Sequence, residues 1–347
     1  MARGGERVLT QRELNRALLA RQFLLDRARL PLPRLLERIG GIQAQYAPSM
    51  YVGVWTRLDG LQRSALTRAL EEREVVQGWL LRSTIHLVSA DDYWPFALAV
   101  RDVRRNWFLR TRRDGPTEAE MKAAADELRS TLADGPIRQR DIDQMLGRER
   151  RVGVGLWLDM VRVPPSGTWE RRRADRYGLA DEWIGPPTVT VDDSVELLVR
   201  RYLGGFGPAT RADIASWSGL PITTLRPVLD KMGLRRFCSE DGAELVDLPT
   251  APLPDGDTEV PVRFLPTFDA TLLVHARRTQ ILPEEHRARI FTSKNPQSFA
   301  TFLVDGSVAG TWRYEDGAIQ LEEFAPLPRG VRRELAEEAE QLAAFHA

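Results

Sequence analysis

The stretch TRADIASWSGLPITTLRPVL, residues 210–229, restricts the fold more than any other part of this chain. A small residue, Ala215, sits inside a short apolar-periodic run, Gly219 occupies the turn, and Pro221 opens a second run. This is the grammar of two helices meeting at a tight corner. The flanks extend the pattern. DDSVELLVRRYLGGFGP (192–208) predicts a helix ending in glycines, and RRFCSEDGAELVDL (235–248) a hairpin turning at Asp241-Gly242. Helix, Gly-Pro break, short helix, turn, helix and hairpin is the order of a winged helix-turn-helix.

The same order recurs upstream. TEAEMKAAADELRSTLADGP (117–136) predicts a helix ending at Gly135-Pro136. IRQRDIDQMLG and VGLWLDMVRV (154–163) predict two further helices, and GTWERRRADRYGLADEW (167–183) a two-stranded wing. At the N-terminus, LTQRELNRALLARQFLL predicts a helix with a Thr10/Glu13 capping box. PLPRLLERIGGI predicts a second, opened by Pro33 and closed by Gly40-Gly41, and SALTRALEEREVV a third. GWLLRSTIHLV (78–88) alternates like a strand pair and leads into a helix near ADDYWPF. Past the linker APLPDGDTEVP the pattern changes. VRFLPTFDATLLVHARRTQIL (262–282) and FATFLVDGSVAGTWRYEDGAIQLEEF (299–324) read as strands, with turns at Asp305-Gly306 and Asp316-Gly317. PEEHRARIFTSKNPQ between them reads as polar and irregular, and VRRELAEEAEQLAAF as a closing amphipathic helix. The expected fold is α+β, mainly α: three tandem winged units (1–113, 114–187, 188–250) and a β-containing unit (251–347).

Charge and composition narrow the function. The net charge is zero, but only three of the 49 basic residues are lysines (Lys122, Lys231, Lys294), and the arginines are clustered. RDVRRNWFLRTRR (101–113), RQRDIDQMLGRERR (138–151) and WERRRADRYG (169–178) are basic, whereas ELAEEAEQL is acidic. A neutral total can thus conceal a basic face suited to phosphate. Cys238 is the sole cysteine and the four histidines (His86, His275, His286, His346) are scattered, so no disulfide, metal site or cofactor is expected. No Walker loop or GxSxG motif occurs. The acidic pairs Asp91-Asp92 and Asp192-Asp193 stand where helices begin and suit capping. No apolar run approaches the roughly 18 residues of a membrane span, and the N-terminus turns polar where a signal peptide needs its apolar core. A cytoplasmic monomer is expected. On fold alone, a winged-helix regulator that binds DNA without chemistry is the default.

The order of several spaced segments adds a second reading. LNRALLARQFLL, LERIGGIQAQYAPSMYVGVWTRLDG and LLRSTIHLVSADDYW, followed by LPTFDATLLVHARRTQILPEEHR and VDGSVAGTWR, together resemble the AlkZ and YcaQ family of bacterial DNA glycosylases. The resemblance implies a concave, duplex-sized cleft, a DNA-probing hairpin in segment 276–296, and a catalytic Gln-x-Gln or Gln-x-Asp motif. Here that motif is Gln43-Ala44-Gln45, of the AlkZ-like kind, whose members remove N7-alkylpurines and unhook interstrand crosslinks, often in self-resistance to a DNA-alkylating natural product. It also implies contacts to double-stranded DNA. Candidates are Arg82, Ser83, Thr84 and His86 on the first wing, and Arg277, Arg278, Arg287, Arg289 and Lys294 near the hairpin. Trp55 and Trp312 are expected in the core.

Overall fold

A computed structural model describes residues 7–112, 114–172, 176–273, 279–292 and 295–347, without the side chains of 292 and 295–297. The first helix, Gln11–Arg21, starts as its sequence requires: the Thr10 hydroxyl accepts from the Glu13 amide while the Glu13 carboxylate accepts from the Thr10 amide. Thr117 and Glu120 cap Glu118–Leu132 in the same way. Thr210 and Asp213 cap Arg211–Ser218, which ends at Gly219 in the left-handed region. Ile222–Lys231 follows, then the hairpin of Arg235–Ser239 and Glu244–Asp247.

The first two units do not carry separate wings. Strands Ile42–Gln43, Ile85–Ser89, Val75–Trp79, Met160–Arg162, Arg176–Leu179 and Ile137–Arg138 form one antiparallel six-stranded sheet, in that order. VGLWLDMVRV is accordingly not a helix. After a single 3-10 turn, Val154–Leu156, its second half becomes the strand Met160–Arg162, paired on one side with Gln77-Gly78 and on the other with Tyr177–Leu179. Pairing with a neighbouring unit is invisible to local periodicity. Helix Ala47–Trp55 also escapes periodicity. All nine of its residues are buried, so it has no polar face to reveal it.

The N-terminus belongs in space with the third unit. Val8–Leu9 runs parallel to Cys238-Ser239. Arg21 then forms a wholly buried ion pair with Asp247, Nη1 to Oδ1 at 2.6 Å, which Arg235 joins. One apolar core runs from Leu18 and Phe96 through Tyr202 and Trp217 to Leu265 and Leu303. Helix Ala90–Thr111 crosses it, with Asp92 gripped by Arg201 of helix Val191–Phe206. Asp91 and Asp92 sit in that helix's first turn behind the cap Ser89, and Asp193 accepts from Thr190.

In the last unit, Arg263–Leu265, Thr301–Val304, Ser307–Glu315 and Ala318–Glu323 form an antiparallel sheet in that order, packed against helix Arg329–His346. Both expected Asp-Gly turns occur, with φ of 46° and 77° at Asp305-Gly306 and 50° and 81° at Asp316-Gly317. The long apolar stretch 262–282 yields only three strand residues before a helical turn, Ala270–Leu273. The described residues of segment 283–298, whose 283–297 part was expected to be irregular, form a 3-10 turn, a short helix Arg287–Ile290 and a strand Phe291–Thr292 that pairs antiparallel with Asn295–Ser298. Trp55 is buried, whereas Trp312 is half-buried and donates to the Leu265 carbonyl at 2.9 Å.

Candidate active site

The two glutamines are delivered by a sharp chain reversal. Helix Leu32–Ile39 ends at Gly40 and Gly41, both left-handed (φ 78° and 77°). A side chain at Gly41 would also collide, since its Cβ would lie 2.9 Å from Val88 Cγ1 and 3.0 Å from the Leu87 carbonyl. The chain can therefore slot in as the edge strand Ile42–Gln43, with Gln43 opposite His86, and the Ala44 amide donates to the Ile85 carbonyl at 2.7 Å. Gln43 is buried at 8% exposure and Gln45 is exposed. Their side chains touch: Gln43 Nε2 donates to Gln45 Oε1. Among the described residues neither amide has another side-chain hydrogen bond, so the Gln43 carbonyl and the Gln45 amino group keep capacity for a further partner.

Behind the pair is an anchor that sequence reasoning missed. Arg162, buried on the second unit's strand, donates from Nη1 to the Ala44 carbonyl at 3.1 Å and to Gln77 Oε1 at 2.9 Å. Gln77 in turn donates to the Gly167 carbonyl at 3.0 Å. Burial pulls the Arg162 pKa below its ordinary value. The residue between the two glutamines is thus fixed from another unit, and nothing local in the sequence signals it.

Between strands Val75–Trp79 and Ile85–Ser89, Arg82 and Ser83 both hold left-handed conformations (φ 51° and 60°) in a tight turn. Thr84 closes that turn by donating from its hydroxyl to the Leu81 carbonyl at 3.0 Å. Arg82 reaches across to donate to the Trp217 carbonyl of the third unit. His86 is buried, with Nδ1 3.1 Å from the Thr84 carbonyl, which makes Nδ1 the donor, and Nε2 3.4 Å from Arg82 Nη2. Burial, then the charge of Arg82, pushes the His86 pKa down to about 3, so the ring is neutral at physiological pH. Only Ser83 of these four side chains is exposed. Further away, Arg287 pairs with Glu284 at 3.4 Å, and Arg289 with Glu322 at 2.9 Å while lying 3.7 Å over the Phe324 ring. Arg277, Arg278 and Lys294 lie outside the described residues. Among the described residues no three His, Cys, Asp or Glu side chains gather as a metal site, and no helix is long and apolar enough to cross a membrane.

A family model described as DNA glycosylase AlkZ-like matches residues 36–345. The chain belongs to the AlkZ-like DNA glycosylase family. A curated AlkZ-like relative from Streptomyces sahachiroi, named interstrand DNA cross-link repair glycosylase, is 23% identical over 363 residues, covering 93% of each chain. The solved structure of the Streptomyces sahachiroi DNA glycosylase AlkZ superposes with a TM-score of 0.82 at 20% identity, over 98% of this chain and 97% of that one. At that identity the match speaks for the AlkZ-like fold. Within it, the residue after the Gln-x-Gln motif, Tyr46, lines a hollow of about 320 Å³ with Trp169, Phe299, Tyr314 and His346.

Proposed function

We propose that this chain is a monofunctional glycosylase that removes N7-alkylated purines from duplex DNA, including purines held in interstrand crosslinks. It would work as a monomer in the cytoplasm, with the division at residues 113, 187 and 250 as its frame. The observation that carries the reading is the contact between Gln43 and Gln45 at the end of an anchored edge strand. Alkylation at N7 leaves the purine cationic, so the base departs neutral and needs little help from an acid. What remains is to hold a water opposite the leaving base and to stabilise positive charge growing on the sugar. The Gln43 carbonyl is the acceptor for that water, and the Gln45 amide, held by Gln43, presents its dipole beside it.

His86 is assigned no proton transfer, because Nδ1 is committed to the Thr84 carbonyl and Nε2 faces Arg82. Its part is to support the strand from which Gln43 projects. With no lysine assigned to the reaction, the product is an abasic site. The named relative's action on interstrand crosslinks supports extending the substrate to crosslinked purines. Base release from 7-methylguanine duplex tests the reading. Wild type releases base, and the Gln43→Ala/Gln45→Ala double variant binds duplex but releases little. Binding without release by wild type returns the chain to the regulator reading, and full release by the double variant removes the glutamines from the mechanism.

A further inference from the structure

The basic run at 101–113 divides between two faces of helix Ala90–Thr111. Arg101 pairs with Asp159 at 2.6 Å, and Arg105 donates to the Leu156 carbonyl at 2.7 Å, so these two hold the second unit. Arg104, Trp107 and Arg110, spaced three apart, form a separate stripe. They make one wall of an open cleft of about 510 Å³, whose other walls are the Arg82-Ser83 turn and the third unit's helix-turn-helix corner, Ser218–Pro221.

The cleft has unbalanced chemistry. No carboxylate lines it, and among the described residues none of Arg82, Arg104 and Arg110 forms an ion pair. Arg104 donates to Ser83 Oγ at 3.2 Å and to the Trp79 carbonyl at 3.1 Å, while Arg82 donates to the Trp217 carbonyl, so the strained turn is braced from both sides. Burial lowers both arginines to about 10, which still leaves them cationic at pH 7. Trp107 is 54% exposed and its indole meets no other ring among the described residues. Arg110 is exposed and, among the described residues, bonds only to its own helix, at the Asn106 carbonyl. Arg82 also links the cleft to the glutamines, through His86, the cross-strand partner of Gln43.

We infer that this cleft binds the sugar-phosphate backbone of the strand flanking the reacting nucleotide, Arg104 and Arg110 facing a phosphate and Trp107 packing on an unstacked base. Interleaved arginine and exposed tryptophan is the pattern that single-stranded DNA recognises, by charge and by stacking. The volume falls in the range of about 300–1,000 Å³ that small-molecule-sized groups occupy. The inference rests on the proposed action on DNA and specifies how the strand is held.

The test is a salt series of anisotropy titrations with a short fluorescently labelled duplex carrying one bulged, unpaired base, for wild type, Trp107→Ala, Trp107→Phe and Arg110→Ala. Trp107→Ala should weaken binding on the order of 10-fold and Trp107→Phe should restore most of it. Arg110→Ala should weaken binding and reduce the slope of log affinity against log salt by about 0.9, the loss of one phosphate contact. Unchanged affinity in Trp107→Ala, or an unchanged slope in Arg110→Ala, overturns the assignment. Both side chains are exposed, so thermal melts matching wild type are expected, and a Kd loss that Trp107→Phe does not rescue counts against stacking. Base release by wild type is read separately. Failure there sinks the glycosylase reading while leaving the cleft standing, and the converse result does the opposite.

Discussion

Replacing Arg162 by methionine removes one buried guanidinium and with it the hydrogen bonds to the Ala44 carbonyl at 3.1 Å and to Gln77 Oε1 at 2.9 Å. Each acceptor left dry costs about 1–3 kcal/mol, so the pair sums to about 2–6 kcal/mol. Burial already disfavours this cation, lowering its pKa, and its Nε has no partner. Removing it therefore relieves part of the desolvation, which brings the expected loss to about 2–4 kcal/mol. A domain with about 5–15 kcal/mol of stability survives that loss folded. The larger effect falls on the reaction. Ala44 separates the two glutamines, and a freed backbone lets them drift by about an ångström, a displacement worth up to about 100-fold in rate.

Three measurements check this: urea denaturation, binding to undamaged duplex, and single-turnover release of 7-methylguanine with enzyme in excess. The expected result is a loss of stability of the stated size and a fall of about 10- to 100-fold in release, with duplex affinity nearly unchanged. Arg162→Lys keeps one nitrogen that can donate to both acceptors, as Nη1 alone does, but on a shorter stem, and should recover only part of the rate. A methionine variant destabilised as expected but releasing base at the wild-type rate would refute the positioning role. One as stable as wild type would refute the energetics.

Further predictions concern the rest of the molecule. Because the His86 pKa is about 3 when folded against an ordinary value of 6.5, the unfolded chain binds the extra proton first. This contribution is whole above pH 6.5 and declines by about 1.4 kcal/mol per unit as pH falls toward 3. Denaturant midpoints should show that slope, and His86→Asn should flatten it. Asp247→Asn breaks a wholly buried pair with Arg21 and a second contact with Arg235, and should lower stability by about 3–5 kcal/mol in the same denaturation assay. Two neutral amides suit a base already primed to leave, so release of uracil from a uracil-containing duplex should be negligible beside 7-methylguanine. Gln45→Asp, by placing a carboxylate near the sugar, should raise the uracil rate; no change would deny Gln45 its place at the reacting bond.

Much of the local architecture is written in the residues themselves. The Thr10/Glu13 and Thr210 caps, the Gly40-Gly41 break, the corner at Gly219 and the two Asp-Gly turns all depend on side chains within a few positions of one another. The Gln43-Ala44-Gln45 triplet and the basic run at 101–113 are likewise plain in the sequence itself. Arg162 could not be read as an anchor, because its partners lie 118 and 85 residues away and its strand exists only by pairing with another unit. The same holds for the N-terminal strand beside Cys238-Ser239, and for the burial that strips His86 of its charge. Tertiary structure also separated Arg104 and Arg110 from Arg101 and Arg105, cations identical in sequence terms. It placed a counter-ion or a neighbouring indole beside the latter two and left an open cleft beside the former. Short-range hydrogen-bonding geometry is encoded residue by residue. Which charges are neutralised and which backbone carbonyls are held depends on what the fold brings alongside them.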